Sequence, residues 1–530
     1  MPKIFENISK VFSKRSQSTG NYENISEANL FNCLSPELIE LIFTHLDIHS
    51  LKSCIYVSKT FRDVIIYSQK CMSKLAIKLT NDNWKSIMPF VRSYGPQIKN
   101  VEFHCLNECF QFYRLLMLMP NLTRLKITMT IKFCGSSKNQ VEADEAVVDG
   151  NDNGSFNLRK LENLEISFFK FDPTTVIADL ISSKNLKKFC FRCSAKDQFD
   201  HKILTSFLSQ QHDLKHLELE VAQIDKIFAV NLMNFELKTL KIVTTHDRDC
   251  DYLFLNHFLS TQSNCLEELR TFPKKFESKI IDGILMLKSL KKLTTHGLLC
   301  CFSKADGHAA LDPIVLNSLT YYRFSQKNKN EIFDEFDFSS LPNLKCLNIQ
   351  FGSNFVVIGT DPVVKVTANP LRNLMNLKEF YIDSYDQDLL TFLASPSLEC
   401  LVIPYDADFY DIETSLKMTQ NLPNLQHLTI VDIKYEKFLT FFIENHENLV
   451  KIMKNNNHGL RTLELHFSLN DVLKLMIANG EVVKVVGSYS YVDHFMYKNQ
   501  KLLKKSFKNF ELSMASDDAY HEKYEHLRFY

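Results

Sequence analysis

Pro120-Asn121-Leu122-Thr123-Arg124-Leu125-Lys126-Ile127 returns in outline at Pro342-Asn343-Leu344-Lys345-Cys346-Leu347-Asn348-Ile349 and at Pro423-Asn424-Leu425-Gln426-His427-Leu428-Thr429-Ile430. In each copy the proline ends whatever helix precedes it, and the asparagine can bond backbone groups at the turn. The pattern L-x-x-L-x-I that follows alternates with a period of two at its end. That period puts the leucine and isoleucine on one face of a short strand and the residues between them on the other.

Working outward, the pattern recurs fourteen times. It opens at Ile98, Val101, Phe103 and continues at Leu122, Leu125, Ile127; Leu161, Leu164, Ile166; Leu186, Phe189, Phe191; Leu214, Leu217, Leu219; and Leu237, Leu240, Ile242. Two weaker copies, at Leu266 with Leu269 and at Leu290 with Leu293, carry Thr271 and Thr295 in the third position. The pattern resumes at Leu319, Tyr322, Phe324; Leu344, Leu347, Ile349; Leu377, Phe380, Ile382; Leu398, Leu401, Ile403; Leu425, Leu428, Ile430; and Leu460, Leu463, Leu465. One match means little in a chain that is 45% hydrophobic, so the spacing has to carry the argument. Ten of the thirteen intervals lie between 21 and 29 residues, the period of a leucine-rich repeat.

Several units supply a second, helical element: Asp172-Pro173 leads into Val176, Ile177, Leu180 and Ile181; His201 to Gln211 carries Ile203, Leu204, Phe207 and Leu208; Tyr435 to Asn445 carries Phe438, Leu439, Phe442 and Ile443. A strand and one amphipathic helix cannot bury a face alone, whereas stacked units bury a continuous core. The fold expected is α/β: a curved solenoid over residues 96–480, with about fourteen repeats, parallel strands inside and helices outside. Residues 134–157, with Glu142, Asp144, Glu145, Asp149 and Asp152, are expected as a disordered acidic loop, and residues 352–370, with Gly352, Gly359, Pro362 and Pro370, as a second loop. Residues 481–530 are expected to form a C-terminal cap and tail, and residues 71–95 a helical linker that caps the solenoid at its start.

Composition bounds the function. Lys plus Arg and Asp plus Glu number 62 each, so no global charge favours nucleic acid or an anionic membrane, and neither is expected as a partner. The 14 cysteines are scattered singly through apolar segments, which suits reduced thiols and a cytoplasmic or nuclear location better than a disulfide framework. No run of 18 apolar residues exists. Residues 1–28 read as a disordered arm, although Ile4, Phe5, Ile8, Val11 and Phe12 would line one face of a short helix.

Between the arm and the solenoid, residues 29–70 read as three short helices. Ser35 suits an N-cap, Pro36 the first helical position and Glu37 the first turn. Leu38, Leu41, Ile42 and Leu46 then make the apolar stripe, with Phe43 beside it; Ser50 is expected to cap a second helix and Ser58 a third. The apolar surface is wider than so small a core needs, which points to an interface. The segment resembles the F-box. Leu34-Ser35-Pro36-Glu37-Leu38, Ile42-Phe43, Leu46, Ser50-Leu51 and Val57-Ser58-Lys59-Thr60-Phe61-Arg62 stand where that family has L-P-x-E-L, I-F, L, D-L and V-C-K-x-W-R. The proline lies one place later, and Ser58 and Phe61 replace the usual cysteine and tryptophan. The resemblance implies docking on the adaptor subunit, and through it the cullin, of an SCF-type cullin–RING ubiquitin ligase. Leu34, Pro36, Leu38, Ile42, Phe43, Leu46, Leu51, Val57 and Phe61 would share the work of core and adaptor contact. An F-box followed by such repeats resembles the F-box/leucine-rich-repeat family, here without the regular cysteine and "ITDxGL" signature of its best-known subtype. That family's role is to present a target protein for ubiquitination, with no catalysis of its own. The alternative is a repeat scaffold or inhibitor that recruits no ligase and whose helical module only caps the array.

In L-x-x-L-x-I the residues flanking the inward positions face the concave side. Lys241, Arg270, Lys292, Tyr321, Arg323 and Tyr381 are the target-binding residues expected there, and the four cations would receive an acidic or phosphorylated segment. Catalytic and metal signals fail on spacing. Asp149-x-Asn151-x-Asn153-Gly154 begins like a calcium loop but has Lys160 at the twelfth position. His521 and His526 are five residues apart and do not share a helix face, and Cys190-x-x-Cys193 has no second pair. No P-loop, dinucleotide fingerprint or G-x-S-x-G occurs, so no enzyme, cofactor or metal is expected.

Overall fold

The structure is a computed structural model, and it describes residues 34–46, 48–80, 83–104, 115–129, 158–168, 184–193, 201–221, 224, 227, 236–244, 253–272, 278–295, 318–326, 341–351, 374–382, 397–404, 422–433, 461–467, 473–478, 482–487 and 509–514. The arm at 1–28, the insertions at 134–157 and 352–370, the helices expected at 173–181 and 435–445, and the histidines at 521 and 526 lie outside these residues. The chain divides into two compact units, Met1–Leu237 and Lys238–Tyr530.

In the first unit four short helices come first: α1 (Pro36–Thr44), α2 (Ile48–Ile55), α3 (Lys59–Tyr67) and α4 (Gln69–Lys74). Strand β1 (Ala76–Thr80), helix α5 (Trp84–Tyr94) and strands β2 (Asn100–His104), β3 (Arg124–Met129), β4 (Asn163–Phe168), β5 (Lys188–Cys193) and β6 (His216–Val221) follow, with helix α6 (His201–Ser209) between the last two. The six strands pair in chain order and all in parallel. Parallel pairing requires a crossover between strands, which is what a 21–29-residue period supplies.

The second unit repeats the scheme through β7 (Thr239–Thr244), α7 (Leu253–Thr261), β8 (Glu268–Phe272), α8 (Ser278–Leu285), β9 (Lys292–Thr295), β10 (Tyr321–Gln326), β11 (Cys346–Phe351), β12 (Glu379–Ile382), β13 (Cys400–Pro404), β14 (His427–Ile433) and β15 (Thr462–Phe467). These nine strands are again parallel and in order. The pattern then changes. Strand β16 (Leu473–Ala478) runs antiparallel to β15, β17 (Val482–Gly487) antiparallel to β16, and β18 (Asn509–Met514) parallel to β17.

Every one of the fourteen L-x-x-L-x-I copies lies at a strand, β2 to β15. The inward positions stack: Val101, Leu125, Leu164, Phe189 and Leu217 pair in one row, all at most 1% exposed. Each such side chain contributes about 1.5–3 kcal/mol of hydrophobic burial, but only against its neighbours in the stack. Helix α6 lays Leu204, Phe207 and Leu208 on this face, with the Phe207 ring 5.1 Å from that of Phe189. Burial in β3, β6 and β7 alternates strictly, the mark of a sheet with one face on the core.

Two devices tie neighbouring repeats together within each unit. At the entries of β3 to β6 and β8 to β15 one carbonyl accepts two successive N–H groups of the next repeat: Lys99 O from Thr123 and Arg124 at 2.8 and 3.0 Å, Glu267 O from Lys291 and Lys292 at 2.8 and 3.0 Å. The turn asparagines also reach across repeats, which is more than the local bond expected of them. Asn121 Nδ2 donates to Pro96 O at 2.9 Å, Asn185 Nδ2 to Arg159 O at 2.8 Å and Asn376 Nδ2 to Pro342 O at 2.8 Å. The two threonine copies are buried as the register demands, Thr271 and Thr295 at 1% each. The Thr271 hydroxyl has no partner, while Thr295 Oγ1 lies 3.5 Å from the hydroxyl of the fully buried Tyr322.

Some local expectations are corrected. Residues 71–95 hold a strand as well as helices, so the parallel ladder starts one unit earlier than the repeat pattern does. Ile77 and Leu79 of β1 pair with Val101 and Phe103, but Lys74 stands where the first leucine would be. Helix α2 starts at Ile48, so Ser50 is internal to it. Ser35 occupies the N-cap of α1 without capping a backbone amide; its hydroxyl bonds to Glu37 and holds that carboxylate below its ordinary pKa. Ser58 does cap α3, accepting the Phe61 N–H at 3.1 Å.

Candidate functional site

The helical module is built around Phe43. Nine residues of α1 include five apolar ones, and the helix buries Ile39 and Phe43, one turn apart. The Phe43 ring meets that of Phe61 of α3 edge to face at 5.1 Å and 80°, and Leu51, Cys54, Ile65 and Ile66 complete the core. The stripe expected from the sequence was Leu38, Leu41, Ile42 and Leu46, with Phe43 beside it. The structure turns the helix by about one residue: Phe43 is core, while Leu38 is 50% and Leu41 57% exposed.

The nine F-box positions therefore separate. Phe43, Leu51 and Phe61 are buried; Leu34, Ile42 and Leu46 are half-buried; Pro36, Leu38 and Val57 are exposed. Val57 is 67% exposed and its neighbour Tyr56, which the motif did not include, 89%. Leu41 and Tyr56 were missed because no motif position names them. Their exposure is the signal, and only the fold supplies it.

Helix α4 fastens the module to the sheet. Ser68 Oγ accepts the Cys71 N–H at 3.1 Å and donates to Glu40 Oε1 of α1 at 2.7 Å. Lys74 Nζ donates to the Thr44 and Leu46 carbonyls at 2.6 and 3.2 Å, capping the C-terminal end of α1. On the far side Asn100 of β2 donates its side-chain amide to Ser73 O. The module is thus linked to the solenoid through bonded groups and not through a free linker.

On the first unit's outer sheet face, an ion-pair belt crosses four strands. Lys126 of β3 pairs with Glu165 of β4 at 3.2 Å, and Arg192 of β5 reaches Glu165 at 3.3 Å, Glu218 of β6 at 3.0 Å and Glu220 at 4.0 Å. Burial works against the Arg192 charge, but Cys190, Glu218 and Glu165 outweigh it and its pKa is raised. Cys190 and Cys193 are buried strand residues of β5, as their spacing suggested.

In the second unit Lys241, Arg270, Lys292, Tyr321 and Arg323 come together on the corresponding face of β7 to β10. Lys241 pairs with Arg270, Arg270 with Thr294 and Thr294 with Arg323; Lys292 pairs with Glu268 and Tyr321. Tyr381 does not join them as an accessible residue, which corrects the expectation. It is 8% exposed and clustered with Cys346 and Val402, and its hydroxyl donates to Glu379 at 3.0 Å. Burial first, then Cys400 and Glu379, push its phenol well above its ordinary pKa. Asn348 at 2% and Thr429 at 6% are buried in the same outward row of β11 to β14, while Glu379 and His427 in the neighbouring row stay exposed.

Residues 31–73 match the F-box domain family. No curated protein sequence matches the chain significantly. Among solved structures, the chain is similar to one described as the crystal structure of a TLR13–ssRNA13 complex, at 14% identity and a TM-score of 0.31. The match covers 82% of this chain and 62% of that one, so the chain spans less than two thirds of that protein's length. The chain thus carries an F-box domain at 31–73, followed by a parallel-stranded array with the pattern of a leucine-rich-repeat solenoid. An F-box indicates an adaptor-binding role, and among the described residues no helix is long and apolar enough to cross a membrane.

Proposed function

We propose that this chain is the substrate-recognition subunit of an SCF-type cullin–RING ubiquitin ligase. Its F-box docks on the ligase's adaptor subunit, and its solenoid holds a target protein. The chain makes and breaks no bond; it raises the effective concentration of target lysines at a partner's active site. The observation that carries this reading is the apolar surface left open on the F-box. Pro36, Leu38, Leu41, Tyr56 and Val57 stay exposed although the same helices have a filled core around Phe43. A module that served only to cap the repeats would turn these side chains toward residues 70–130. The bonded α4 bridge suits the role as well, because it joins the F-box to the first strands of the array without a free linker.

The test is a titration of full-length protein with the purified adaptor subunit, beside the Leu38→Asp/Val57→Asp double variant. Both side chains are at least half exposed, so the variant keeps its thermal transition. The reading predicts wild-type binding of roughly micromolar affinity or tighter and a loss of at least about a hundredfold in the variant. Absence of wild-type binding, or equal binding by the folded variant, would leave a repeat scaffold without ligase association.

A further inference from the structure

The F-box pattern names Val57 but not the residue before it, yet Tyr56, at 89%, is the most exposed large apolar side chain among the described residues. It stands in the turn between α2 and α3, and that turn is fixed. The Tyr56 N–H donates to Ser53 O and the Val57 N–H to Cys54 O, each at 3.1 Å, and Ser58 caps α3 through the Phe61 N–H. Cys54 and Phe61, on either side, are core residues at 4% and 7% exposed. The chain thus holds a large amphipathic ring in solvent on backbone with little freedom left to lose. A tyrosine so presented suits an interface anchor, because it offers a broad apolar face and has few rotamers to freeze.

The same corner carries charge of one sign. From Ile48 to Arg62 the sequence holds Lys52, Lys59 and Arg62 and no carboxylate. Lys52 lies one turn before Tyr56 on α2, and Lys59 opens α3. Both are exposed, and neither forms an ion pair among the described residues, Asp63 one turn beyond Lys59 included. Arg62 is half-buried, and its Nε is buried without an acceptor. A desolvated cationic donor in that state is unfavourable until an acceptor arrives. Helix α1 differs, since its carboxylates are answered within the module: Glu37 is bonded by Ser35 and Glu40 by Ser68. The unanswered cations are therefore a local feature of the α2–α3 corner.

A partner that fits this corner offers an apolar recess with carboxylates around it. A nucleic acid would satisfy the cations but leave Val57, 67% exposed, without a match. We infer that the adaptor subunit takes Tyr56 in an apolar recess whose rim carries carboxylates facing Lys52, Lys59 and Arg62. This deepens the proposed function and rests on the F-box's being the adaptor-docking part.

The experiment is surface plasmon resonance between full-length protein and the purified adaptor subunit, read as separate association and dissociation rates. A buried aromatic anchor sets the lifetime of a complex, whereas rim charges set its association rate and salt dependence. Tyr56→Ala, at so exposed a position, keeps the wild-type thermal transition and lowers affinity at least about thirtyfold, mostly through faster dissociation. Tyr56→Phe, which keeps the apolar body, stays within about threefold of wild type. Lys52→Glu/Lys59→Glu slows association about tenfold and flattens its dependence on salt between about 50 and about 300 mM. Arg92→Glu, an exposed charge reversal on α5, changes neither. Wild-type binding that Tyr56→Ala leaves unchanged, or an association rate that the double lysine reversal leaves unchanged, overturns the inference while the ligase reading stands. Absence of wild-type binding overturns both. Binding of an oligouridine that the lysine reversal abolishes, with adaptor association intact, would make the corner a nucleic-acid site and overturn the inference as well.

Discussion

Phe43→Ala and Leu38→Ala lie five residues apart on the same helix, on different faces, and the structure assigns them very different costs. Phe43 is 2% exposed and meets Phe61 edge to face at 5.1 Å. Its truncation removes about 3–5 kcal/mol, of which roughly 1 belongs to the ring pair. A helical module of about 40 residues has only a few kcal/mol of its own stability. The loss therefore unfolds α1 to α3 locally, while the stacked repeats, which depend on nearest neighbours, stay closed. Leu38 is half exposed, so Leu38→Ala costs under about 1 kcal/mol. Hydrogen exchange read by mass spectrometry separates the cases. In Phe43→Ala, protection collapses over residues 36–67 and persists over β7 to β9; in Leu38→Ala both regions match wild type. Retained protection in Phe43→Ala, or equal loss in Leu38→Ala, would mean that α1 faces the other way and the reasoning fails.

Three further outcomes follow from the packing. Thr271→Val, which replaces a partnerless buried hydroxyl with a methyl group, raises stability by about 0.5–2 kcal/mol in chemical denaturation; a lower midpoint would show that the hydroxyl is satisfied. Asn376→Ala breaks the cross-repeat bond to Pro342 and costs about 1 kcal/mol, seen as faster exchange at β11 and β12 and not at β7; uniform exchange changes would argue against a repeat-to-repeat tie. Glu267 is held below its ordinary 4.5, to about 2, by hydrogen bonds from Lys238 and Lys291 and then by their charges. Since the folded value lies below the unfolded one, the pairs stabilise above about pH 4.5 and that stability is lost as pH falls toward about 2. Glu267→Gln melts with a shallower pH slope between about pH 4.5 and 3, and high salt narrows the difference; identical slopes would dissolve the coupling.

The solenoid was legible because its signal is periodic. Fourteen patterned copies give fourteen strands even where Thr271 and Thr295 weaken the third position, since the neighbours above and below impose the register. Strand β1 escaped because Lys74 takes the place of the first leucine, and the pattern was read from side chains while the ladder is made by backbone. The facing of α1 was illegible for a different reason. With Leu38, Ile39, Leu41, Ile42 and Phe43 crowded into one helix, no single apolar stripe exists, and packing against Phe61 decides. Burial of one outward row across β11 to β14 is tertiary, yet Cys346, Tyr381, Cys400 and Val402 at outward positions were an apolar hint. The cations of β7 to β10, by contrast, needed only the register that the repeats supplied.

Assembly tests the central claim most directly. Full-length protein is mixed with purified adaptor and cullin, and the mass of the eluting complex is measured by light scattering. A gain of one 61.6 kDa chain over the adaptor–cullin complex, lost in Leu38→Asp/Val57→Asp, is the predicted result. An adaptor–cullin complex that forms while this chain elutes on its own would contradict the account.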